Sequence, residues 1–238
     1  MSIFQLSNRP LFPSPALAEP DGLLAVGGDL SPQRLLAAYS AGIFPWYSEG
    51  QPLLWWSPDP RLVLYPERFH LSRSVRKTLR RQRFAVTFDW AFAAVIRGCG
   101  QARQATGTWI TAEMEHAYIQ LHRLGYAHSV EVWLAVSPAD GLPTRRAEPP
   151  VLAGGLYGIA LGGCFFGESM FHRYPDASKV AFAALVERLR NEAYHLIDCQ
   201  MTTAHLLSFG AQEITRPHFL MQLHNALQQV PIRTGPWC

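Results

Sequence analysis

Apolar side chains recur along this chain with two periods, and each period predicts a different element. Met114, Ala117, Tyr118 and Leu121 stand at i, i+3, i+4 and i+7, one face of a helix that Gly125 closes. Leu35, Leu36 and Tyr39 mark another, opened by Ser31-Pro32, a capping residue before a first-turn proline, and ended by Gly42. Residues 177–192 read as a helix with Ala181, Ala184, Leu185 and Leu189 inward. Residues 217–229 read as another, with Phe219, Leu220, Leu223 and Leu227 inward. Shorter helices are predicted at 90–97 and 202–209, the latter stopped by Gly210. Alternating or continuous apolar runs predict strands at 84–88, 128–136, 151–160, 162–171 and 196–200.

Residues 1–62 follow neither period. They are rich in Pro, Gly and Trp, which predicts a small, loop-rich N-terminal domain packed on a larger one over 63–238. The class is mixed α/β (α+β). The glycine-bearing strand pair, the following helix and the next strand have the order of a GNAT-like (acyl-CoA N-acyltransferase-like) core. Residues 137–150 read as a turn-rich, exposed connection.

Composition narrows the class further. Of 238 residues, 48% are hydrophobic, which excludes a disordered chain. No apolar run approaches the ~20 residues of a membrane span. The N-terminus lacks a charged segment followed by an apolar one, so a cytoplasmic location is expected. Cys99, Cys164, Cys199 and Cys238 form no CxxC pair and read as three reduced core thiols and a tail residue. The nine histidines include no HExxH, and no metal site is expected.

Net charge is only +3, but its distribution is uneven. Between Leu71 and Arg83 six of thirteen residues are basic and none is acidic. On a helix Leu71, Val75 and Leu79 form one stripe, and Arg73, Arg76, Lys77, Arg80 and Arg81 occupy the rest. A merely solvated face is the plain alternative. The lack of acidic partners favours phosphate binding.

The chemistry is expected at Leu196-Ile-Asp-Cys-Gln200. On a strand Asp198 and Gln200 point one way and Cys199 the other, so a carboxylate and an amide share a polar site in a dry place. Cys199 with His195 or His205 makes a poor nucleophile pair, because it faces away and no helix N-terminus lowers its pKa. Gly167-Glu-Ser-Met-Phe171 lacks the last glycine of a nucleophile elbow. The junction Phe171 to Lys179 lacks the glycines that would cradle a pyrophosphate. Asp176, at the helix start, is expected to satisfy the free amides itself, so CoA is not expected. Trp46, Trp55, Trp56 and Trp109 each read as core, and together as walls of an apolar pocket.

Seven blocks, covering nearly the whole chain, resemble the bacterial leucyl/phenylalanyl-tRNA–protein transferases. They are Gly22-Leu-Leu-Ala-Val-Gly-Gly-Asp-Leu-Ser31, Gly42-Ile-Phe-Pro-Trp-Tyr47, Leu54-Trp-Trp-Ser-Pro-Asp-Pro-Arg61, Gly107-Thr-Trp-Ile110, Gly167-Glu-Ser-Met-Phe171, Ala177-Ser-Lys179 and Leu196-Ile-Asp-Cys-Gln200. The resemblance implies transfer of leucine or phenylalanine, and less readily methionine, from aminoacyl-tRNA to proteins with N-terminal arginine or lysine. The products enter N-end rule degradation. It implies no metal, no CoA and no other cofactor. It maps the catalytic pair onto Asp198 and Gln200, with Asp198 polarising Gln200 or both merely positioning substrate, and adds to the catalytic residues a strand carboxylate, Glu168, that either binds the basic acceptor residue or holds the site's hydrogen-bond network. It implies a donor pocket walled by Trp46, Trp109, Phe165, Met170, Leu185 and Leu189 with Tyr118 nearby, and tRNA binding by Arg73, Arg76, Lys77, Arg80 and Arg81. A monomer is expected, since no amphipathic face is spare. The connection at 137–150 looks longer than the family's, and the chain stops at Cys238, soon after the last helix. A tRNA-binding module without catalysis, or a small-molecule acyltransferase, are the competing classes.

Overall fold

The computed structural model describes residues 3–103, 107–134 and 151–237. The first lobe contains β1 (Phe4–Leu6), β2 (Leu23–Gly27), α1 (Pro32–Ser40), β3 (Phe44–Pro45) and β4 (Leu54–Trp56). Its strands pair in the order β1-β2-β4-β3. The predicted loop-rich region thus holds a sheet. Its strands are two to five residues long, too short to build a readable period. Ser31 caps α1 by accepting the Arg34 N–H. Gly42 ends the helix at φ 73°, and a Cβ there would lie 2.7 Å from Leu220 and 2.9 Å from Phe219. Only glycine supplies both the left-handed turn and the close approach of the lobe to the last helix.

The second lobe begins with β5 (Arg61–Leu64), α2 (Arg73–Arg80), β6 (Phe84–Phe88), α3 (Phe92–Arg103) and α4 (Ala112–Arg123). It continues through β7 (Ala127–Leu134), β8 (Leu152–Leu161), β9 (Cys164–His172), α5 (Ala177–Asn191) and β10 (Leu196–Gln200). It finishes with α6 (Ala204–Leu207), β11 (Gln212–Ile214) and α7 (Arg216–Gln229). The predicted boundary at residue 62 therefore falls inside β5. The strand β11 went unpredicted. The 137–150 connection and Cys238 lie outside the described residues.

The seven strands follow the order β11-β5-β10-β9-β8-β7-β6. Neighbours are antiparallel except β9 and β10. A parallel pair needs a crossover, and α5 provides it. The run β6-α3-α4-β7-β8-β9-α5-β10 with that one parallel pair is the mixed α/β order of strands and helices the sequence predicts.

Each face of this sheet carries a core. On one face Tyr39, Phe92, Tyr118, Phe166 and Phe219 join the first lobe to α3, α4 and α7. On the other, Val180, Leu185 and Leu189 of α5 pack with Leu156 and Phe165. No helix among the described residues is long and apolar enough to cross a membrane.

Candidate active site

β10 runs between β9 and β5, and its register against β5 slips between Asp198 and Gln200. Gln200 takes φ 62°, a left-handed conformation uncommon outside glycine. Simple alternation therefore stops at Asp198. That side chain is fully buried and is not among the residues that line the cleft beside Gln200. Its Oδ1 accepts from Arg61 Nε at 2.8 Å and its Oδ2 from Arg61 Nη2 at 2.6 Å. Oδ1 also accepts the Gln200 backbone N–H at 2.9 Å. The guanidinium lies 4.8 Å from the Phe44 ring and 4.5 Å from the Phe219 ring.

This corrects the open carboxylate–amide pair read from sequence. Asp198 is consumed by a two-pronged ion pair, which a buried carboxylate requires. Cys199, predicted to face away, lines the cleft instead. Burial pushes its thiol far up, so it stays protonated and is no nucleophile.

Gln200 reaches a different carboxylate. Its Nε2 donates to Glu168 Oε1 at 2.8 Å. Tyr39 donates to the same oxygen at 2.8 Å, and Tyr118 to Oε2 at 2.9 Å. The two phenol oxygens also touch each other. Burial lifts the Glu168 carboxyl to about 7; the hydrogen bonds from Tyr39, Tyr118 and Gln200 oppose that rise and Asp198 adds to it. Burial, reinforced by Glu168, raises both tyrosine hydroxyls. Tyr118 is thus a member of this network and not a pocket wall. Tyr39 was read as core, because its i+4 spacing from Leu35 looks the same whether its hydroxyl is used or not.

Glu168 and Gln200 form the polar side of a cleft of about 840 Å³. Leu156, Phe165, Met170, Phe182, Leu185 and Ile197 line its apolar part, and Trp46 and Trp109 its more exposed part. The volume suits a small organic group. Leu189, one turn beyond Leu185, is wholly in the core and does not reach the cleft, a second correction. Leu156, Phe182 and Ile197 were missed. Phe182 was findable, standing at i−3 from Leu185 on one helix face. Leu156 needed the strand register that sets it against Met170.

Arg103, His172, Lys179 and His205 also line the cleft. Asp176 does not cap α5 as predicted; it adopts φ 69° and makes no side-chain bond to the helix amides. Its carboxylate accepts from Lys179 Nζ and from Thr78 Oγ1, each at 2.9 Å. The second bond ties α2 to the cleft. Ser72 caps α2, Val75 is buried, and Arg73, Arg76, Lys77, Arg80 and Arg81 are exposed. Among the described residues no carboxylate pairs with these five. No cluster that could hold a metal ion occurs among the described residues.

Known proteins resemble this chain along its length. A family model for the leucyl/phenylalanyl-tRNA protein transferase matches residues 63–224, and one for the N-terminal domain of the same enzymes matches 28–59. A leucyl/phenylalanyl-tRNA–protein transferase from Anaeromyxobacter sp. (strain Fw109-5) is 57% identical, covering 100% of this chain and 95% of its own. One from Syntrophotalea carbinolica is 58% identical over 95% of this chain and 93% of its own. Among solved structures, L-PGS from Bacillus licheniformis aligns with a TM-score of 0.44 and 9% identity over 86% of this chain and 73% of that one.

Proposed function

The chain belongs to the leucyl/phenylalanyl-tRNA–protein transferase family, and from that premise we propose how its site moves an aminoacyl group from tRNA to a protein N-terminus. The donors are leucine and phenylalanine, less readily methionine. The acceptors begin with arginine or lysine, and their products enter N-end rule degradation. The reading includes a monomeric, cytoplasmic enzyme with a small lobe over about residues 1–62 and an aminoacyl-transfer domain over 63–238.

The acceptor's amine nitrogen attacks the ester carbonyl carbon. A C–N bond forms, the C–O bond to the terminal ribose breaks, and one proton leaves nitrogen and ends on the ribose oxygen. The ester is already activated, so the reaction needs no further energy source or cofactor. The donor side chain lies against Leu156, Phe165, Met170, Phe182, Leu185 and Ile197. Trp46 and Trp109 wall the more exposed part of the same donor pocket. The ester then meets Gln200, whose amide nitrogen is occupied by Glu168 and whose carbonyl oxygen accepts a hydrogen bond from the attacking amine. Asp198 and Glu168 act through Gln200, one on its backbone and one on its side chain. Arg73, Arg76, Lys77, Arg80 and Arg81 bind backbone phosphates of the tRNA.

The observation that carries this reading is the meeting of an apolar cleft with the Gln200–Glu168 pair, beside a basic helix that no carboxylate among the described residues pairs with. Incubation with Leu-tRNA and an Arg-initiated peptide should add the mass of one leucine residue. A peptide left unmodified, with tRNA bound, would instead identify a binding module; bound acetyl-CoA would identify a small-molecule acyltransferase.

A further inference from the structure

Glu168, Tyr39 and Tyr118 close a ring of three oxygen–oxygen contacts. These are Glu168 Oε1 to Tyr39, Tyr39 to Tyr118, and Tyr118 to Glu168 Oε2. Each contact needs one proton, or two sets of lone pairs face each other. The phenols own only two protons. An ionised Glu168 takes both and leaves none between the phenol oxygens, which are in contact. One proton on the carboxyl completes the ring by reversing the Tyr118 bond of the ionised form: Oε2–H donates to Tyr118, Tyr118 to Tyr39, and Tyr39 to Oε1. Oε1 still accepts the Gln200 amide at 2.8 Å.

We propose, on the basis of the transferase reading above, that Glu168 works as a neutral carboxylic acid. In this arrangement Tyr39 and Tyr118 are positioning residues that hold its proton in the ring, while Oε1 stays free to accept the Gln200 amide.

The surroundings agree. Among the described residues, Tyr39 of α1, Tyr118 of α4, Tyr157 of β8 and Asp198 of β10 are titratable groups that act on Glu168, the last through its charge alone. The charge of Asp198 is met by Arg61 of β5. Arg103 of α3 lines the same cleft. Burial lifts the Glu168 carboxyl to about 7, so its proton is held through the mildly acid range. The chemistry gives the proton a use. An anion beside the attacking amine would hold it as ammonium, without the lone pair that attacks; a neutral acid does not.

The test compares Glu168→Ala with Glu168→Gln. The glutamine amide copies the neutral acid, donating to Tyr118 while its oxygen accepts from Tyr39 and Gln200. Transfer of leucine to an Arg-peptide is expected to fall in Glu168→Ala and to recover about tenfold or more in Glu168→Gln, the worth of one good hydrogen bond. The wild-type rate is expected to decline above neutral pH, and that decline to vanish in Glu168→Gln. Infrared spectra of the substrate-free protein supply an independent reading. Wild type should show a protonated-carboxyl stretch that Glu168→Gln lacks, and Tyr39→Phe should shift its titration midpoint. A folded Glu168→Gln as slow as Glu168→Ala, or no such stretch in mildly acid solution, overturns the proposal. Absence of transfer by the wild type would overturn the transferase reading instead, leaving the infrared band to decide this one.

Discussion

Arg61 and Asp198, 137 residues apart, form a two-pronged ion pair closed off from solvent. Removing one partner strands the other charge in the core. Asp198→Ala is therefore expected to lose about 3–5 kcal/mol of unfolding free energy, read by urea denaturation. Arg61→Met combined with Asp198→Leu should regain most of it. That double variant should still transfer slowly, because the Gln200 backbone has lost its acceptor. A double variant as unstable as the single one would show that the pairing is not the source of the stability.

Leu185 lines the cleft from α5. Leu185→Phe is expected to shorten the pocket and to lower transfer of phenylalanine relative to leucine, by about 1–3 kcal/mol in the ratio of kcat/KM values. Equal losses for both donors would place the amino-acid side chain elsewhere.

The cations of α2 are exposed, and among the described residues Arg76 gives only a surface hydrogen bond to the Leu71 carbonyl, so the removal of Arg76 and Lys77 should leave folding intact. Arg76→Ala with Lys77→Ala is expected to weaken tRNA binding and to flatten the slope of log K against log salt by about 2, one for each lost phosphate contact. Unchanged affinity and slope would make α2 an ordinary solvated face.

Folding stability should also report Glu168. Its carboxyl rises from an ordinary 4.5 to about 7 on folding, through burial. The folded protein thus holds a proton that the unfolded chain has released. The stabilisation is fully present below about 4.5 and is lost as pH rises through about 7. Urea midpoints of wild type minus those of Glu168→Gln should fall across this window. A flat difference would mean the carboxyl titrates as it does in the unfolded chain.

Long amphipathic elements were legible in the sequence. The helices around Met114, Leu185 and Phe219 and the strands around Phe84 and Phe166 follow from local period alone. What local pattern lacks is any record of partners distant along the chain. Asp198 and Gln200 read as neighbours on one strand face, but the bulge and Arg61 separate their tasks. Leu185 and Leu189 share a helix face, yet only the first meets the cleft. Tyr39 and Tyr118 read as core and are core by burial; their hydroxyls find Glu168 only when three elements come together.

Tyr39 and Phe44 belong to the first lobe, yet one completes the ring at Glu168 and the other covers Arg61. Segments recognised by two separate family models are chemically one unit. Descent should treat them so: a recombination breakpoint near residue 60 would join a foreign hydroxyl to a resident carboxyl. Substitutions at 39, 118 and 168 are expected to arise in step, as correlated columns among relatives.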